Sequence, residues 1–110
     1  MVFIETPVFT RQIRRLISDE QLRLLQKWIA TVPMAGDLIR GGGGCRKIRW
    51  FRNASGKRSG IRVIYYWMKD SEQILFLLAY AKTQDADLTP GQVKVLGKLV
   101  KDELRRHKNG

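Results

Sequence analysis

One cysteine, one histidine and three prolines are all that this chain of 110 residues holds of those types. The lone Cys45 excludes an internal disulfide framework and any site built from several thiolates. With His107 as the only histidine, the usual zinc ligands are missing too, so no metal and no other cofactor is expected. Cys45 and His107 both read as incidental, and a single thiol suits a reducing compartment. Acidic side chains are scarce: ten Asp and Glu stand against twenty-one Lys and Arg, for a net charge of +11. That imbalance argues against a small neutral substrate and for a polyanionic partner. No apolar run reaches spanning length, and the first residues lack the charged-then-apolar pattern of a secretory signal, so a cytoplasmic protein without a membrane role is expected. The length leaves no room for a separate cofactor-binding module, and residues 1–110 read as one domain. At 44% hydrophobic residues with ten aromatics, the chain has the means to pack a core, unlike a disordered basic tail.

The excess charge is concentrated. Residues 38–69 carry nine basic side chains and no acidic one, whereas residues 1–37 carry five basic and four acidic. Charges of both signs are normally interspersed on a surface not used for binding, so the middle block predicts a polyanion-binding face.

Val2–Glu5 reads as a short strand. Thr6-Pro7 reads as a helix cap followed by proline at the first helical position, with Phe9, Ile13, Leu16 and Ile17 at helical spacing. The pattern Ser18-Asp19-Glu20-Gln21 predicts a second helix start, and Leu22, Leu25, Ile29 and Val32 supply its stripe until Pro33 stops it. The four glycines at 41–44 carry neither Gly-Lys-Ser/Thr nor a following helix, which excludes a phosphate loop and a dinucleotide fingerprint; they read as a flexible entry to a hairpin. Three β-prone runs follow at about 45–52, 61–68 and 73–81, an antiparallel meander whose last member is apolar on both faces. Thr89-Pro90-Gly91-Gln92 opens a C-terminal helix with Val93, Leu96, Val100 and Leu104 facing the core. The expected fold is α+β, in the order β-α-α-β-β-β-α, with an antiparallel twisted sheet packed on helices.

Alternation along the strands puts Lys47, Arg49 and Phe51 on one face of the first meander strand, opposite Ile48 and Trp50. Arg62, Ile64 and Tyr66 share a face of the next strand, so a suitable register sets Arg62 beside Lys47 and Arg49. Tyr80 and Lys82 fall at the end of the third strand, and Lys57 and Arg58 sit in the loop between the first two. Such a surface suits RNA cleavage through the substrate's own 2′-hydroxyl. That reaction needs a base for the hydroxyl, cations for the phosphorane oxygens and a proton for the leaving 5′-oxygen, and it needs no metal. Arginines clamp phosphate oxygens, and lysines crowded by like charge become better acids or bases. Read alone, Lys47 and Arg49 also fit a solvated strand face and Tyr80 a core position. Arg62, in an apolar strand, calls for a functional role or a salt bridge, with Asp70, Glu72, Asp85 and Asp87 as candidate partners. The basic positions Lys94, Lys98, Lys101, Arg105 and Lys108 form a stripe on the last helix that extends the footprint over an RNA backbone. Arg46 and Lys98 thus join Lys57 and Arg58 as candidate RNA contacts.

The stretches Gly44–Arg49, Gly56–Tyr66 and Leu77–Lys82, with Asp87-Leu88-Thr89 opening the last helix, resemble the RelE superfamily of bacterial toxins, and within it the HigB type. The resemblance spans nearly the whole chain. It implies a RelE-like fold and the toxin of a type II toxin–antitoxin pair, an endoribonuclease that enters the A site of the 70S ribosome and cuts mRNA during translation. It sets the family's basic strand pair on Lys47 and Arg49, its strand arginine on Arg62 and its end-of-strand basic residue on Lys82; Lys57 and Arg58 match the basic loop of the HigB branch. RelE has a further arginine and a later tyrosine where this chain has Thr83 and Asp87 nearby, which leaves Tyr80 as the available phenol. The implied partners are a cognate HigA-like antitoxin, the ribosome and mRNA, with operator DNA reached only through the antitoxin. A gyrase-inhibiting toxin of the same fold, as in the ParE relatives, and a non-catalytic nucleic-acid-binding protein are the alternatives.

Overall fold

Thr6 sets the first turn of the chain. In the computed structural model, which describes residues 1–51, 60–81 and 88–109, its side chain accepts from Phe9 N at 3.1 Å and donates to Leu77 O at 2.9 Å. One hydroxyl therefore both caps α1 (Pro7–Leu16) and pins its start to the sheet. The strand before it is β1 (Val2–Glu5). Ser18 and Gln21 exchange side-chain-to-backbone hydrogen bonds, the reciprocal cap that ends one helix and opens α2 (Asp19–Thr31). The chain continues through β2 (Asp37–Leu38), β3 (Arg46–Trp50), β4 (Ile61–Met68), a 3₁₀ turn at Lys69–Ser71, β5 (Gln73–Ala81) and α3 (Pro90–Asn109). Thr89 and Gln92 repeat the reciprocal cap at the head of α3.

The sheet order is β1-β5-β4-β3-β2. The meander β3-β4-β5 is antiparallel as expected, but the sheet as a whole is mixed, because β1 runs parallel to β5 from Val2↔Gln73 to Glu5↔Phe76. A parallel pair needs a long crossover, and the helices with the meander provide it. The two-residue β2, expected as loop, pairs with β3 at Asp37↔Lys47 and Leu38↔Arg46.

Each face of the sheet buries its own core. On one side Phe9, Ile13, Leu25 and Ile29 of the first two helices meet Ile48, Ile61, Val63, Tyr65, Ile74 and Phe76. Phe76 stacks on Phe9 with ring centroids 4.7 Å apart and on Phe3 at 5.8 Å. On the other side Leu96 and Val100 of α3 cover Cys45, Ile64, Met68, Leu75 and Leu77. The register shifts between Ile64↔Leu78 and Tyr65↔Phe76, so Leu77 and Leu78 both turn to the α3 side. β1 pairs with β5 only as far as Phe76; beyond it the β5 backbone is met by the side chains of the α1 cap and of α1 itself, Thr6 at Leu77 O and Gln12 Oε1, which accepts from Ala79 N at 2.9 Å.

Candidate active site

Among the described residues, Leu96 and Val100 of α3 pack with Ile64, Leu75 and Leu77 on one face of the sheet, and a row of polar side chains crosses that face toward its Trp50–Ile61–Ala81 end. Arg49 pairs directly with Arg62, and Arg62 pairs directly with Tyr80 across the next strand boundary. Three chemistry-bearing side chains thus stand in one row across three strands, at neighbouring-strand spacings of about 4.8 Å. Lys47, two residues before Arg49 and opposite Ile64, lies on the same face one step along. Arg49 is exposed, and Lys47, Arg62 and Tyr80 are half-buried.

Arg62 Nη1 makes a long contact to Ile61 O, 3.5 Å, and among the described residues no carboxylate pairs with it. Asp70 and Glu72 lie in and beside the turn at the far end of β4, at least six residues, about 20 Å of strand, from Arg62. A half-buried cation directly opposite a second cation costs stability unless an anion pairs with it. Tyr80 packs against the α3-side core and its hydroxyl oxygen is screened from solvent, so what it presents beside Arg62 is the ring rather than an open phenol.

Arg46 is not brought to this row. Alternation turns it to the opposite face, where its Nη1 donates to Gly36 O at 2.8 Å and to Met34 O at 3.4 Å, tying the 33–36 loop to the sheet. The same loop is held by Tyr65, whose hydroxyl donates to Pro33 O at 2.7 Å and accepts from Gly36 N at 2.9 Å. Burial raises the Tyr65 pKa above its ordinary value. Cys45 is fully buried under α3, and burial pushes its thiol up to about 12, which makes it inert at neutral pH. Lys98 is exposed on α3, with Lys94, Lys101 and Arg105 exposed beside it along the helix. Lys57, Arg58 and Lys82 lie outside the described residues, as do Asp85 and Asp87.

The glycine run packs against protein. Gly41, Gly43 and Gly44 have positive φ, and a Cβ on Gly44 would stand 2.8 Å from the Tyr66 ring. A Cβ on Gly43 would stand 3.2 Å from Gly97 Cα, so this loop and α3 meet backbone to backbone. One residue next to this row goes unmarked by charge. Phe51 directly follows β3 and is 61% exposed, an aromatic two residues past Arg49 whose only sequence signal is the period-2 alternation it shares with Lys47 and Arg49.

Among the described residues no cluster of His, Cys, Asp and Glu could hold a metal ion, and no helix is long and apolar enough to cross a membrane. A family model described as "RelE toxin of RelE / RelB toxin-antitoxin system" matches residues 1–109.

Proposed function

The chain belongs to the RelE toxin family, whose members pair with antitoxins and are generally endoribonucleases, and from that membership we propose that it cleaves translated mRNA in the ribosomal A site. The observation that carries the reading is the Arg49–Arg62–Tyr80 row with Lys47 beside it. In-line attack by the 2′-hydroxyl puts a second full charge on the phosphorane, and two guanidinium groups on neighbouring strands meet its non-bridging oxygens. Arg62 holds the reacting phosphate from the floor of the row, and Arg49 closes on it from the exposed side. The proton transfers from the 2′-hydroxyl and to the 5′-oxygen fall to lysines, Lys47 within the row and Lys82 after the end of β5. Tyr80 is a positioning residue here: its ring walls Arg62 on one side. Phe51 offers a stacking surface for a splayed base at the rim. Lys57, Arg58 and the basic stripe through Lys98 contribute charge toward an RNA backbone.

A HigA-like antitoxin neutralises the toxin in this reading, and operator DNA is reached through that antitoxin alone. The test adds purified protein to a translating extract and, separately, to the same mRNA without ribosomes. Fragmentation only during translation, lost in Arg62→Ala, supports the reading. Intact mRNA with inhibited DNA supercoiling contradicts it in favour of a gyrase-directed toxin.

A further inference from the structure

α1 carries a second functional face. Val8, Arg11, Gln12, Arg15 and Leu16 recur at i, i+3, i+4, i+7 and i+8, one side of a helix, and with Ala79 and Tyr80 they line a cleft of about 340 Å³. The cleft opens at the end of β5, where Tyr80 belongs both to its wall and to the row that contains Arg62. Arg11 and Arg15 are exposed, one helical turn apart, and neither guanidinium has a hydrogen bond or ion pair with a described residue. Gln12 is fixed by the Ala79 N–H on its Oε1, which leaves the two protons of its amide nitrogen to the cleft. The remaining wall, from Val8, Leu16 and Ala79, is apolar.

We propose that this cleft is a nucleotide subsite for the RNA strand beyond the scissile phosphate, a proposal that rests on the ribonuclease reading. Arg11 and Arg15 take a phosphate, the apolar wall takes a base, and the Gln12 amide donates to a base or sugar oxygen. The pairing of two cations with an apolar wall, in a volume near the lower end of small-ligand sites, fits one nucleotide. Tyr80 is shared by the cleft and the row, so a strand held at Arg62 reaches the cleft by passing around the β5 edge from the α3 side to the α1 side.

The test is titration of the ¹⁵N-labelled full chain with adenosine 5′-monophosphate, inorganic phosphate and a polyglutamate peptide. The nucleotide is expected to move the Ala79 amide and the Gln12 side-chain amide saturably. Its affinity should fall about tenfold or more in Arg11→Ala/Arg15→Ala, whose exposed positions spare the fold, and should persist in Arg62→Ala. No shift at Ala79 and Gln12 overturns the proposal. So does equal affinity for inorganic phosphate, which would leave the apolar wall without a role, and so does tighter binding of polyglutamate, which would mark a protein contact. Translation-dependent cleavage lost in Arg62→Ala, alongside an unresponsive cleft, removes the subsite and leaves the ribonuclease reading standing. A responsive cleft in a protein that leaves mRNA intact upholds the nucleotide site and overturns that reading.

Discussion

Arg49 and Arg62 stand directly opposite each other across the β3–β4 pairing. Like charges in that position destabilise a sheet by a few tenths to about 1 kcal/mol. Replacing one should therefore relax the fold while it damages the site. Arg49→Gln is expected to raise the unfolding free energy by about 0.5 kcal/mol and to lower mRNA cleavage by about 10²-fold. Urea denaturation beside a cleavage time course measures both. A variant that is less stable and fully active would remove the row from the mechanism.

Gly43 and Gly97 make a one-sided prediction. A Cβ on Gly43 would press on Gly97 Cα at 3.2 Å from a left-handed backbone, whereas a Cβ on Gly97 meets the loop only at 3.8 Å or more. Gly43→Ala should cost about 1–2 kcal/mol, and Gly97→Ala should be neutral or stabilise α3 by up to about 1 kcal/mol. Thermal melts of the two variants, compared with wild type, decide it.

Alkaline pH should weaken the fold through Cys45 and Tyr65. The thiol, raised from 9.0 to about 12, keeps its proton in the folded state while the unfolded chain loses it. Between those values the unfolded state binds fewer protons, so stability is intact below pH 9 and declines above it by up to about 1.4 kcal/mol per pH unit. Tyr65, also raised by burial, adds to the decline above its ordinary pKa. Denaturation from pH 8 to 11 should show the slope, and Cys45→Ala should flatten it between pH 9 and 10, whatever that variant's absolute stability.

Arg46 separates structural charge from site charge. Arg46→Ala removes donors from Gly36 O and Met34 O and should cost about 1–2 kcal/mol. Its folded fraction should cleave as wild type does, in contrast to Arg62→Ala. Comparing cleavage at 15 °C, where the variant remains folded, with its melting curve checks this.

These contrasts follow what local sequence can carry. The strands β3, β4 and β5 and the faces of Lys47, Arg49 and Arg62 are legible because alternation and turn residues act within a few positions. The caps at Ser18 and Thr89 are legible for the same reason. The parallel seat of β1, the pairing of two-residue β2 and the bulge that turns Leu77 and Leu78 to one side depend on distant chain. The glycine run reads as a flexible loop because Tyr66 and Gly97, which require its shape, lie far along the sequence. Arg46 joins the RNA contacts on block charge, but its parity sends it to the opposite face, to Gly36 O. Arg11 and Arg15 go unnoticed in a block whose charges nearly cancel, since a cleft is visible only once α1 lies on β5.

The central claim is cleavage at a phosphate held by Arg62 within the ribosome. Primer extension on one mRNA, translated in an extract with wild type or Arg62→Ala, tests it most directly. New 5′ ends are expected within translated codons, and they should vanish in the variant and in ribosome-free mRNA. Unchanged ends with wild type, or the same new ends with Arg62→Ala, would contradict it.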